Sequence, residues 1–129
     1  GTGPSSAHSG TKYAYTEMNG VSQNSVAFLT TENYNLPDTD LCLSFYYNMN
    51  GQDVDWLRVW LWNKNGPEAD EVFTLSNNQG DVWYHQTITI PQKTYDLAID
   101  FEVTKTSAKR KKKGDIALDD ITLTSGACA

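Results

Sequence analysis

The feature that most constrains this chain is a period-two alternation that recurs along its length. In residues 41–49, Leu41, Leu43, Phe45, Tyr47 and Met49 fall at every second position, so an extended backbone sets all five on one face. Leu57, Val59 and Leu61 repeat the pattern, and Leu97, Ile99, Phe101 and Val103 repeat it again. No segment carries a convincing helical period, which would place apolar residues three and four apart. Turn-forming clusters separate the runs: Met18-Asn19-Gly20, Asn50-Gly51-Gln52-Asp53, Asn63-Lys64-Asn65-Gly66-Pro67 and Asn77-Asn78-Gln79-Gly80. Strands are therefore expected at 11–17, 25–30, 41–49, 55–63, 71–76, 82–90, 95–103 and 115–124.

Each such strand has one apolar face, and without helices the only cover available is another sheet. The expectation is an all-β fold, a two-sheet antiparallel β-sandwich of the jelly-roll type. At 129 residues the chain is one domain, 1–129, with enough length for a sizeable core. No internal repeat appears, and the Ser-, Gly- and Pro-rich start reads as loop. The last strand breaks its own alternation. Ile116 and Leu118 share one parity while Ile121 and Leu123 take the other, so one extra residue enters at Asp119-Asp120. That is a β-bulge, which re-aims side chains and is expected to turn one of the two aspartates inward. A buried carboxylate is costly unless it is paired or binds a metal.

The two cysteines, Cys42 and Cys128, read either as separate buried thiols or as one bridge. A bridge is the favoured reading, because it would tether the chain's end to a strongly patterned strand. Closing so long a loop removes about 4 kcal/mol of unfolded-chain entropy, and such a bond implies an oxidising compartment. The chain opens Gly1-Thr2-Gly3-Pro4, so export is not read from a leader. The longest apolar window, Trp56 to Trp62, is interrupted by Arg58, which argues against direct membrane insertion.

The formal net charge is -6, with most basic residues gathered in Lys105 and Lys109-Arg110-Lys111-Lys112-Lys113. That distribution excludes a nucleic-acid footprint, which needs a basic face spread over the fold. The run reads first as a solvated loop. Its other readings are contact with an acidic partner, such as a sulfated glycan or a neighbour's acidic face, and a basic cleavage site. Catalysis has little support: His8 and His85 are the only histidines, no nucleophile, zinc or phosphate-loop motif is present, and the abundant carboxylates could imitate a glycosidase pair only at a separation that the sequence does not set. The most individual feature is the face opposite Leu57, Val59 and Leu61, which carries Trp56, Arg58, Trp60 and Trp62. If strands three and four form a hairpin, Tyr46, with Ser44 and Asn48, flanks that stripe. Three tryptophans on a nominal solvent face are a candidate protein-binding patch or sugar-stacking platform; the plainer alternative is a face covered by a loop.

Four ordered blocks give the chain a family resemblance. Gly114-Asp115-Ile116-Ala117-Leu118-Asp119-Asp120-Ile121, followed by Gly126-Ala127-Cys128, is similar to the closing signature of MAM domains. Thr2 to Gly10 with Tyr13 resembles their opening loop, Cys42 to Met49 their central cysteine strand, and Leu75-Ser76 with Gln79-Gly80-Asp81-Val82-Trp83 their glycine–tryptophan turn. The resemblance implies a jelly roll in extracellular or cell-surface multidomain proteins, supporting adhesion or oligomerisation through a protein partner or self-association, with no catalysis. A glycan-binding module on a similar jelly roll is the alternative. It also implies that Cys42 and Cys128 are the family's second disulfide. Against the family pattern, the chain starts after the first strand and first cysteine pair, and Ala7 stands where the opening loop often has aspartate. Some members hold a calcium or sodium ion near that loop, so a structural calcium is the cofactor expectation. Its candidate ligands are Asp120 first, Asp119 second, and Ser6 and His8 in the opening loop. The competing reading is that both aspartates satisfy backbone amides at the bulge.

Overall fold

In the computed structural model, the described residues are 4, 6, 8, 14–17, 26–30, 39–51, 54–93, 96–104 and 115–129, with backbone pairing alone for 14–17 and 26–30. Eight strands follow in chain order: β1 Ala14–Glu17, β2 Val26–Thr30, β3 Leu41–Asn50, β4 Trp56–Asn63, β5 Ala69–Ser76, β6 Gly80–Ile90, β7 Leu97–Thr104 and β8 Asp115–Ser125. They form two four-stranded sheets, β1-β8-β3-β6 and β2-β7-β4-β5, and every pairing is antiparallel. Neighbours within a sheet are mostly distant in sequence, as Greek-key crossing between layers requires. The expected all-β jelly roll is the observed fold.

The alternation decides which faces meet. Leu41, Leu43, Phe45, Tyr47 and Met49 of β3 are buried against Leu57, Val59 and Leu61 of β4 and Leu97, Ile99, Phe101 and Val103 of β7. Phe45 anchors the centre, in edge-to-face contact with Phe101 at 5.1 Å and Phe73 at 5.6 Å. This geometry sets the positive edge of one ring against the negative face of another.

β3 and β4 do not form a hairpin: β3 lies in one sheet and β4 in the other. Between them the chain turns at Gly51, whose φ of 134° is in a region that suits glycine, and then buries Val54 in the core. Gly51 N–H donates to Asn78 Oδ1, and Gln79 N–H donates to the Met49 carbonyl, so the β3–β4 and β5–β6 crossings brace each other. The bulge in β8 is present. Ser44 pairs with Thr122 but Tyr46 pairs with Asp119, so β8 has one more residue than β3 over that interval. Asp120 absorbs the irregularity with a φ of 50°. As a result Leu123 returns to the core side, opposite Leu43. The disulfide joins Cys42 to Cys128.

Candidate functional site

The fold has two outer sheet faces, and the candidate residues divide between them. On the β1-β8-β3-β6 sheet, Tyr46 lies cross-strand from both His85 and Asp119. It is therefore on the opposite side of the sandwich from the tryptophans and does not flank them. Its ring is stacked between His8, at 3.5 Å, and His85, at 4.4 Å. His85 Nε2 shares a 2.6 Å hydrogen bond with Ser44 Oγ. Trp83 Nε1–H donates to the Ser6 carbonyl at 2.9 Å. Ser6 and His8 are thus held on this face, by the Trp83 hydrogen bond, the aromatic stack and polar contacts to the bulge.

Neither aspartate of the bulge turns into the core; both are half-buried and meet His8. His8 N–H donates to Asp119 Oδ2 at 3.0 Å, and Asp120 N–H donates to Asp119 Oδ1 at 2.8 Å. His8 Nδ1 is 2.7 Å from Asp120 Oδ2, and since a carboxylate only accepts, the imidazole N–H points at it. Calcium takes six to eight oxygens, each offering a lone pair. Here N–H groups occupy three carboxylate oxygens of the pair, and the Ser6 carbonyl already accepts from Trp83. Among the described residues no group of three or more His, Cys, Asp or Glu is arranged to hold a metal. As placed, the described carboxylates are engaged with N–H donors rather than grouped around a cation. A cation at this corner would share these carboxylates with the His8 donors or displace them.

The outer face of the β2-β7-β4-β5 sheet carries the tryptophan stripe. Strand register sets Trp56 opposite Thr104, Arg58 opposite Glu102, Trp60 opposite Asp100 and Trp62 opposite Ala98 on β7. On the other flank, Trp60 is opposite Glu71 of β5. Glu102 organises the middle of the stripe. It accepts from Trp60 Nε1–H at 2.8 Å and from Thr104 Oγ1–H at 3.1 Å, and Arg58 Nη1 is 4.0 Å away. The Arg58 guanidinium also lies 4.8 Å from the Trp56 ring centre, in cation–π contact. Trp60 and Trp62 are neighbours at 5.9 Å, tilted by 33°, and Trp62 is 37% exposed. One oxygen of Asp100 is buried and accepts no hydrogen bond.

Sequence reasoning finds the four stripe residues but misses Glu102, Asp100 and Glu71. The signal is available for β7, where Asp100 and Glu102 alternate with the core residues; what the sequence lacks is that β7 pairs with β4. The basic residues Lys105, Lys109, Arg110, Lys111, Lys112 and Lys113 lie outside the described residues. Among the described residues, no helix is long and apolar enough to cross a membrane.

Comparison with known proteins agrees with this architecture. The family model for the MAM domain, meprin/A5/mu, matches residues 1–129. Neuropilin-1a of Danio rerio is 34% identical over 126 residues, covering 93% of this chain and 13% of that protein. MAM domain-containing glycosylphosphatidylinositol anchor protein 1 of Gallus gallus is 33% identical over 133 residues, covering 98% of this chain and 14% of that protein. The chain thus spans about a seventh of the length of these relatives. Among solved structures, a family 16 carbohydrate-binding module superposes with a TM-score of 0.63 at 16% identity, over 94% of this chain and 82% of that one. A CBM4 structure gives a TM-score of 0.53 at 18% identity, over 81% and 78% respectively. At such identities these two matches speak to the fold alone.

Proposed function

The chain belongs to the MAM domain family, and from that premise we propose that it is a non-catalytic extracellular interaction module whose contact surface is the outer face of the β2-β7-β4-β5 sheet. Its relatives include a glycosylphosphatidylinositol anchor protein, a class held at the outer surface of cells. Its disulfide suits the same oxidising side of the membrane. In a larger protein such a module contributes adhesion, by binding a protein partner or another copy of itself.

The observation that carries this reading is the half-buried, pre-organised stripe with Trp62 exposed at its end. Trp60 is tied to Glu102, Arg58 is held over Trp56, and Trp62 stands open beside Trp60. Aromatic side chains held in place lose little freedom on binding, so their buried area converts well into affinity. A bead-aggregation assay with the immobilised module tests self-association, and titration against soluble candidate ectodomains tests partner binding. The expected result is clustering or capture that Trp62→Ala abolishes without changing the melting temperature. Clustering or capture that survives Trp62→Ala and Trp60→Ala alike would place the contact elsewhere.

A second reading is carbohydrate binding. It is favoured by the tilted Trp60–Trp62 pair, which has the form of a sugar-stacking platform, on a fold shared with two carbohydrate-binding modules. A glycan array with Trp60→Ala as control separates the two readings. A signal lost in the variant supports the glycan, and no signal leaves the protein contact.

A further inference from the structure

Among the described residues the tryptophan face is acidic as well as aromatic, and its charges are not balanced. Across the strands Trp60 has a carboxylate on each side, Asp100 on β7 and Glu71 on β5, while Glu102 accepts its indole N–H. Side chains directly opposite in a sheet have Cβ atoms about 5 Å apart, so both flanking charges are within reach of a group placed over the indole. Among the described residues the cation of this array, Arg58, is already engaged over Trp56 and against Glu102. Near Trp60 and Trp62 no basic side chain of the described residues answers Asp100 or Glu71. One oxygen of Asp100 is buried and accepts no hydrogen bond, so no donor among the described residues offsets that part of its charge.

We infer that the Trp60–Trp62 end of this face is a binding site for the cationic side chains of a lysine- or arginine-rich protein segment. The inference rests on the reading of this face as the contact surface and names the chemistry of what it contacts. An ammonium or guanidinium laid over an indole gains from the ring's quadrupole, and flanking carboxylates add charge-assisted hydrogen bonds at the ring's edge. A neutral sugar would gain from the stacking but has no use for the excess negative charge. Charge complementarity therefore favours a basic peptide. This chain supplies a defined probe in its own basic run, Lys105 and Lys109 to Lys113.

The test is titration of the whole domain with a synthetic peptide of residues 105–113, with a counterpart in which every Lys and Arg is Gln, and with neutral oligosaccharides. Saturable binding of the basic peptide, absent for the Gln counterpart, is expected. It should weaken about tenfold in Trp62→Ala, and measurably in Asp100→Asn and Glu71→Gln. Glu71 is exposed, so its variant reports on binding even if Asp100→Asn folds poorly. Equal binding of both peptides overturns the inference, as does binding that none of the three variants weakens. Saturable binding of an oligosaccharide at Trp60 and Trp62, without binding of the basic peptide, overturns it in favour of a glycan site. If the basic peptide fails but Trp62→Ala still abolishes bead clustering, the contact face stands and only the cationic ligand falls.

Discussion

Removing the Cys42–Cys128 bridge tests the physical claim on which the domain's stability depends. The linked residues are separated by 86 positions, so the bridge closes a loop of about two-thirds of the chain. In the loop-entropy model this constraint lowers the entropy of the unfolded chain by about 15 cal/mol/K, or about 4.6 kcal/mol at 25 °C. The native state loses little by comparison. Cys42 already pairs with Thr124 across the β3–β8 ladder, and Cys128 N–H donates to Thr89 Oγ1, so β8 and the tail keep their positions without the bond. Guanidinium denaturation of the domain with and without reductant, alongside a Cys42→Ser/Cys128→Ser variant, measures the difference. We expect a loss of about 3–5 kcal/mol, with a larger denaturant slope because the open unfolded chain exposes more surface. Against a typical total of about 5–15 kcal/mol, the reduced domain would be close to unfolding. A loss below about 1 kcal/mol with an unchanged slope would refute the argument, by showing that the unfolded chain is already as compact without the bridge.

Four further outcomes follow from named contacts. Phe45→Ala, at a fully buried position touching Phe73 and Phe101, should cost about 3–5 kcal/mol in thermal or chemical unfolding. Glu102→Ala, which removes the acceptor for Trp60 Nε1–H and the partner of Arg58, should shift tryptophan emission to the red; Glu102→Gln, which retains an acceptor oxygen, should shift it less. Burial, with Tyr84 alongside, holds the Tyr47 phenol above its ordinary value of 10.0. The native state therefore keeps a proton that the unfolded chain releases, so this contribution to stability is complete below pH 10 and declines as pH rises beyond it. Tyr47→Phe should flatten the fall in melting temperature on the alkaline side. At the β8 bulge, calcium and EDTA should each leave the melting temperature unchanged, while His8→Ala lowers it; a rise on adding calcium would show that a cation displaces the His8 donors.

The layers of this fold are legible in the sequence because alternation is a local property. The decisive cases are Ile99 and Phe101, which point inward because their neighbours Asp100 and Glu102 could not enter an apolar core without a large desolvation cost. The bulge is legible for the same reason, since a single parity change between Leu118 and Ile121 allows few explanations. Strand partnership is not legible. A turn such as Asn50-Gly51 serves a hairpin or a crossing equally well, and burial of Val54 in the core decides for the crossing only once both sheets exist. That is why the sequence alone sets Tyr46 beside the tryptophans while the structure sets it across the sandwich, and why Glu71, from a different flanking strand, escapes notice altogether. Direction at the bulge is illegible too. Whether Asp120 turns inward depends on a donor more than a hundred positions away, the imidazole of His8.

The difference between the two outer faces explains why one of them is the better candidate for binding. On the β1-β8-β3-β6 sheet, several outer side chains are engaged from within the chain: His8 covers Tyr46, Trp83 donates to Ser6, Asp119 and Asp120 accept from His8, and Cys128 is tied to both Cys42 and Thr89, while Asn48 Oδ1, buried on β3, accepts no hydrogen bond. A partner approaching that face would have to replace contacts that already exist. On the β2-β7-β4-β5 sheet, the internal contacts fix Trp56, Arg58 and Trp60 in place, yet they leave Trp62 open and Asp100 with an oxygen that accepts nothing. A ligand there adds interactions without removing any, and the side chains it meets have already lost their freedom in folding. Among the described residues, the first face is therefore the more occupied by the chain itself, and the second keeps its tryptophans in place with Trp62 open to a partner.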